Sequence, residues 1–301
     1  MIMKTSDRLV FEKTGAGGFT LIELAVVIAT VAVLAALLLP ALAGTRPNVQ
    51  SFQCLENQRR LILAWQMYAQ DNGDILPPND YPYATAGPRD GTERNWVFGS
   101  MAVAIDAIDT KVLVNPQLSL LALYNTNPAA YKCPADTSLV QGHPCARSVS
   151  MNCAVGTRWY TAGLGGGPSH GLAGSPVGGG WLSGYYSDPD PNYRTYGKIT
   201  QMTKPGPSMT FVIADENPQT INDACMQISI AQILVDCPGN YHNGAAGISF
   251  ADGHTEMHRW MDVFAQNPST MIVNPGGPGQ PIVPSPCLDL AWIQPRTTAP
   301  K

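Results

Sequence analysis

Apolar residues are concentrated at one end of the chain. Residues 19–39 (FTLIELAVVIATVAVLAALLL) carry a single charge, Glu23. At roughly 1.5 Å per residue, a helix of that length just crosses the hydrocarbon core of a bilayer. Over residues 48–70 the pattern changes. No Gly or Pro interrupts it, and Val49, Phe52, Leu55, Ile62, Trp65 and Ala69 mostly recur at three-to-four spacing, the mark of an amphipathic helix. Asp71-Asn72-Gly73 stops it. One long helix over residues 19–70 is predicted, kinked at Pro40 because proline removes a backbone donor and clashes with the preceding turn. Residues 72–205 are loop-heavy, with short strand candidates at 96–101 and 148–156. The run 209–214 (MTFVIA) reads as a buried strand that ends at Asp215-Glu216-Asn217. Residues 246–260 read as a β-hairpin turning at Asp252-Gly253. A two-residue turn there opposes Ala251 to His254, Phe250 to Thr255 and Ile248 to Met257. That register puts Ile248, Phe250, Thr255 and Met257 toward the core and Ser249, His254, Glu256 and His258 on the other face. The tail beyond Asn267 is proline-rich and reads as extended, with residues 287–292 docking back. The fold class expected is α+β: a long N-terminal helix, its first part long enough to span a membrane, then a globular head with an antiparallel sheet.

Composition narrows the class. The chain has 301 residues, 45% of them hydrophobic and only 13% charged, the latter about half of the roughly 25% usual in soluble domains. Its net charge is −4, so no basic field exists to hold a phosphate backbone, and nucleic acid is not an expected partner. Mean hydropathy is −0.04, which excludes a polytopic membrane protein. The stretch 163–184 holds ten glycines in 22 residues. It contains neither a GxxxxGK[ST] nor a GxGxxG between strand and helix, so it reads as a flexible surface insertion and not a phosphate cradle.

The N-terminal stretch admits three readings. Lys4, Arg8 and Lys13 followed by Ala41-Leu42-Ala43 fit a secretory signal cleaved before Gly44, but the apolar run exceeds the usual h-region and holds an acid. A plain membrane anchor leaves Glu23 without a partner, at about 2.5–3.5 kcal/mol if deep in lipid. The third reading supplies the partner. Gly17-Gly18-Phe19-Thr20-Leu21-Ile22-Glu23 resembles the class III signal of type IV prepilins and type II secretion pseudopilins. The resemblance implies cleavage after Gly18 by a prepilin peptidase and methylation of Phe19. It also implies that Glu23 pairs with the N-terminal amine of a neighbouring subunit, a contact that sets register. Pro40 falls where many pilins carry a helix-bending proline. Basic residues balance across the stretch, with Arg46, Arg59 and Arg60 on its far side, so an N-inside topology is implied by the resemblance alone. Residues 54–60 and 67–72 also resemble large pseudopilin-like proteins. His242, nine residues, then Asp252-Gly253 resembles the processing-associated H-x(9)-DG domain of a subgroup of them.

Other clusters are weighed on their chemistry. His254-x-Glu256-x-His258 sets three ligand types on one strand face, suited to zinc or a similar ion, although a solvated strand produces the same alternation. Asp188-x-Asp190-x-Asn192 has the oxygen spacing that opens a calcium loop, interrupted by Pro189 and Pro191. Asp215, Glu216, His242 and Asp252 could converge on one sheet edge, where pinning of loops is the plainer expectation. No nucleophile elbow, HExxH or kinase-type motif is present, so the chain reads as a non-enzyme. No cofactor is expected beyond a candidate calcium or other divalent metal. The seven cysteines (54, 133, 145, 153, 225, 237 and 287) include no CxxC pair and fit an oxidising compartment. Cys225 with Cys237, and Cys133 with Cys145 or Cys153, are candidate bridges.

The organisation expected from these features is a leader (1–18), a long helix (19–71, transmembrane over 19–39) and a head (72–265). The head holds the insertion (163–184) and the H-x(9)-DG region (208–260), and a tail (266–301) follows. The implied protein is a pilin-like or pseudopilin subunit of a type II secretion or type IV pilus-like filament. It would span a bacterial inner membrane once, its head lying in the periplasm or in an extracellular filament. Its partners would be a prepilin peptidase, other such subunits and the membrane. The alternative is a membrane-tethered exported module that binds a glycan, a metal or a secreted substrate without polymerising.

Overall fold

The computed structural model describes residues 19–79, 94–158, 174–265, 282–283 and 285–301, with the side chains of 35–48 outside the description. The chain divides into two compact units, Met1–Arg46 and Pro47–Lys301.

In the first unit, helix α1 (Leu21–Asp71) begins with a reciprocal cap. The Thr20 N–H and hydroxyl donate to the Glu23 carboxylate at 2.8 and 2.7 Å, and the Glu23 N–H donates to the Thr20 hydroxyl at 3.3 Å. These bonds hold the Glu23 carboxyl below its ordinary pKa. The large apolar side chains around and beyond this cap are exposed, from Phe19 at 74% to Leu34 at 59%. Among the described residues no helix is long and apolar enough to cross a membrane. The single-pass inner-membrane expectation is corrected accordingly. The backbone is helical through Pro40, so that proline does not end the helix. The Pro40 side chain and Gly18 lie outside the described residues.

The second unit is mixed α/β. Strands β1 (Leu139–Val140) and β2 (His143–Pro144) form a small ribbon. Strands β3 (Val149–Asn152), β4 (Phe211–Asp215), β5 (Cys225–Met226), β6 (Ala245–Phe250) and β7 (Thr255–Arg259) form a five-stranded sheet in the order β5-β3-β4-β6-β7. All its neighbours are antiparallel except β3 and β5, which run parallel. Two short helices, α2 (Ala104–Ala107) and α3 (Thr110–Leu113), lie before the sheet in sequence, and α4 (Leu288–Thr297) follows it.

Both faces of the sheet are covered. The end of α1 packs Leu61, Ile62, Trp65 and Ala69 with Val149, Met151, Val212 and Ile213. On the other side α4 packs Leu290 and Ile293 with Phe211, Ala214, Ala246, Ile248, Phe250 and Trp260. A register irregularity in β4 between Phe211 and Ile213 lets the consecutive residues Val212 and Ile213 serve the same layer, the usual effect of a bulge. Residues 287–292 dock back onto the head as expected, but as the first turns of helix α4 and not as extended chain. Its start is latched to the chain after β7, where Asp289 accepts from the N–H groups of Met261, Asp262 and Phe264 at 2.7, 3.1 and 2.8 Å. Asp262 in turn accepts from the Leu288 N–H at 2.6 Å.

Three further expectations are corrected. Residues 96–101 form no strand. Trp96 is instead fully buried, its indole N–H donating to the Ala224 carbonyl at 3.1 Å. In the glycine-rich stretch, the described residues 174–184 contribute to the core, where buried Leu182 joins Cys153, Ala154 and Cys225. The β6/β7 hairpin is one residue out of the expected register: Ser249 faces Thr255, Ile248 faces Glu256 and Gly247 faces Met257. The loop has three residues, with the Gly253 N–H bonded to the Phe250 carbonyl at 2.9 Å and Gly253 at φ +96°. This is a type I turn closed by a left-handed glycine. The slip moves His254, Glu256 and His258 onto the face of Ile248 and Phe250.

Candidate metal centre

Four ligand-bearing side chains from four separate segments converge where α1 meets the sheet. Cys54 comes from α1, Cys133 from the loop before β1, Asp215 from the end of β4 and His242 from the turn before β6. One ligand atom from each, two thiol sulfurs, a carboxylate oxygen and an imidazole nitrogen, lies within 4.8 Å of every other. Cys54, Cys133 and Asp215 are buried, and His242 is half-buried.

Local structure sets each group. Asp215 closes a strand of five buried residues, and its side chain accepts from the Gly247 N–H on β6 at 2.8 Å and the Cys54 thiol at 3.1 Å. The Gln58 amide, one turn along α1 from Cys54, donates to its other oxygen at 3.4 Å and to the Gly247 carbonyl at 3.1 Å. Cys133 follows a short 3₁₀ turn (Pro128–Tyr131), and its N–H donates to the Ser148 hydroxyl at 2.7 Å. The Asn57 amide reaches from α1 to the carbonyls of Ala129 and Lys132 at 3.1 and 3.2 Å, which ties that turn to the helix. His242 projects from a turn whose next two residues, Asn243 and Gly244, take φ of 55° and 83°. Its Nδ1 meets the Ser51 hydroxyl at 3.1 Å and its Nε2 meets the Cys133 sulfur at 3.1 Å.

The close approach of α1 to the sheet depends on Gly247. A Cβ there would stand 2.7 Å from the Cys54 sulfur, 3.2 Å from the Asp215 Oδ2 and 3.3 Å from the Gln58 Cγ. Electrostatically the pocket favours neutral groups. Burial pushes the Asp215 carboxyl up to about 6 and the His242 imidazole down. The Cys54 thiol is driven up by its hydrogen bond with Cys133, by burial and by the Asp215 charge. For Asp215 and His242 the shift measures chiefly the cost of holding the charged form out of water.

The H-x(9)-DG residues divide between two places. His242 precedes β6, while Asp252 and Gly253 form the turn at its far end, so the spacing is the length of a strand and not the span of one site. Asp252 accepts from the His254 N–H at 3.1 Å and meets its Nδ1 at 2.6 Å. Of the acids expected at one edge, Asp215 joins His242 but Glu216 turns away. Glu216 takes the Thr220 hydroxyl at 3.1 Å and is pushed up to about 8 by burial.

The other candidate sites do not assemble. The His254 ring stacks on Phe250 at 4.2 Å between centroids, and the His258 ring stacks on Trp292 at 3.6 Å. Burial lowers His258 to about 4. These two and Glu256 form no converging set. Asp188 is paired with Arg158. Asp190 is buried and accepts from the N–H groups of Ser183, Asn192 and Tyr193 at 3.0, 2.9 and 2.9 Å. These oxygens are committed to a loop, which corrects the calcium reading of Asp188, Asp190 and Asn192. The candidate bridges are corrected too, because all seven cysteines are free thiols. Cys225 lies with Cys153 beside Leu182, whereas Cys237 belongs to the layer around Phe211 and Trp260. Cys145 accepts from the Ser138 hydroxyl at 3.2 Å, and Cys133 is beside Cys54.

The sequence pattern places Asp215 and His242 at one sheet edge, but nothing in it singles out Cys54 or Cys133 among the seven cysteines as their partners. Ligands drawn from residues 54 to 242 leave no short spacing to read. No protein-family model, curated protein or solved structure matches this chain.

Proposed function

We propose that this chain is a pilin-like filament subunit, cleaved after Gly18 by a prepilin peptidase, methylated at Phe19 and serving a type II secretion or type IV pilus-like system. The observation that carries this reading is the first turns of α1. There Phe19, Leu21, Ile22, Val27, Val31 and Leu34 stand between 47% and 87% exposed, an apolar surface that water penalises and that other copies of the same helix would cover. Glu23 fits that role. Its carboxylate caps its own helix through Thr20 while staying exposed, next to the residue whose amine cleavage would free. A second subunit bringing that amine to Glu23 would set the stagger between helices, since burying either charge alone is costly.

The test is made in the native host. The N-terminal peptide is analysed by mass spectrometry, and sheared filaments are quantified for the parent and for Glu23→Ala. The reading expects methylated Phe19 as the terminus and loss of polymer in the variant, with the monomer still folded. A terminus at Met1 or Gly44, or polymer unaffected by the substitution, overturns it.

A further inference from the structure

We propose that Cys54, Cys133, Asp215 and His242 form a closed, four-coordinate zinc site that clamps helix α1 to the sheet. The donor set is two sulfurs, one imidazole nitrogen and one carboxylate oxygen, a combination suited to zinc and to no hard, oxygen-seeking cation. Zn–S bonds of about 2.3 Å and Zn–N or Zn–O bonds of about 2.0–2.2 Å make tetrahedron edges of roughly 3.3–3.8 Å. The observed 3.1 Å contacts and the 4.8 Å outer limit bracket that size, so small side-chain shifts admit the ion without moving the backbone.

The surroundings are those of a metal site. The half-buried imidazole presents Nε2 to the cluster while the Ser51 hydroxyl meets Nδ1 and orients the ring, as outer-shell partners of metal ligands do. Asp215 is steadied by the Gly247 N–H and the Gln58 amide. All four positions are protein groups, which is the pattern of structural rather than catalytic zinc. Binding releases the protons of both thiols to solvent. Two thiolates, one carboxylate and a neutral imidazole around Zn²⁺ then carry a net charge of −1, facing the two amide donors. The ligands join α1, the loop before β1, β4 and the turn before β6, so one ion cross-links four segments far apart in sequence.

The test uses the full chain purified under reducing conditions, with zinc counted by elemental mass spectrometry and Co²⁺ as a spectroscopic probe. One zinc per chain is expected. With Co²⁺, strong visible bands of a tetrahedral site and a near-ultraviolet thiolate-to-metal band are expected. The near-ultraviolet band should fall by about half in Cys54→Ser, and zinc should pass to a chelator at least tenfold more readily in His242→Gln, since loss even of an outer-shell partner costs about 10–100-fold in affinity. The unmodified chain's cobalt spectrum stands whether or not the variants fold. Three results each overturn the proposal: no zinc and no cobalt spectrum in the reduced chain, zinc retained equally in the Cys54→Ser/Cys133→Ser double variant, or a Cys54–Cys133 disulfide, found by peptide mapping, in chain isolated from its native host without added reductant.

Discussion

Gly247→Ala tests the packing of α1 on the sheet. The added methyl would lie 2.7 Å from the Cys54 sulfur and 3.2 Å from the Asp215 Oδ2, against roughly 3.5–4.0 Å for a relaxed contact. The sulfur cannot swing clear without breaking its 3.1 Å bond to Asp215, and the Asp215 oxygen is pinned by the Gly247 N–H at 2.8 Å. Overpacking of this kind costs about 1–3 kcal/mol. Alanine recovers about 0.4–1 kcal/mol by restricting the unfolded chain. A net loss of ~1–2 kcal/mol is therefore expected, and at about 2–4 °C per kcal/mol for a unit of this size Tm should fall by ~2–8 °C. The assay is thermal unfolding beside Gly206→Ala, a position where an added Cβ meets nothing within 4 Å and Tm should hold or rise slightly. A Gly247→Ala protein as stable as its parent would refute the close approach of helix and strand, and with it the geometry of the four-ligand cluster.

Two further predictions concern buried polar groups. Asn152 is fully buried, donating to the carbonyls of Phe211 and Thr297 at 2.9 and 3.0 Å and accepting from the Ala154 N–H at 2.9 Å. Asn152→Ala leaves all three groups unpaired, at about 1–3 kcal/mol each before relaxation, so urea unfolding should show a loss of at least ~2 kcal/mol. Asp223 is pushed up to about 7 by burial, against the pull of its Cys225 N–H bond and of Arg147. Its folded pKa lies above the unfolded value of about 3.9. The folded state therefore holds the extra proton, and the stability this group contributes is full below pH ~4 and is lost as pH rises toward 7. Asp223→Asn should flatten the slope of unfolding free energy with pH across that window. An unchanged slope in denaturant melts would refute burial as the cause.

The β6/β7 hairpin shows where reading of the sequence ends. Asp252-Gly253 between apolar alternations specified a tight turn, because only a glycine tolerates the backbone there, at φ +96°. The choice between a two- and a three-residue loop was tertiary. The Ala251 N–H donates to the Thr210 carbonyl at 3.0 Å, and the Ala251 carbonyl accepts from the Gln66 amide of α1 at 3.0 Å. Those contacts draw Ala251 out of the β6/β7 pairing and shift every later partner by one. The buried strand near 209–214 was legible because a continuous apolar run must be covered on both faces. The return of residues 287–292 to cover one of those faces was legible, but its helical form, α4, was not, because the latch depends on Asp262 and Asp289 meeting in space. The candidate metal site was legible only as Asp215 and His242 meeting at one sheet edge; its two cysteines were illegible for the same reason. Local pattern determines which residues turn inward, but the meeting of a helix cysteine, a loop cysteine, a strand-end carboxylate and a turn histidine is set by how those segments pack. Their separation along the chain carries no trace of it.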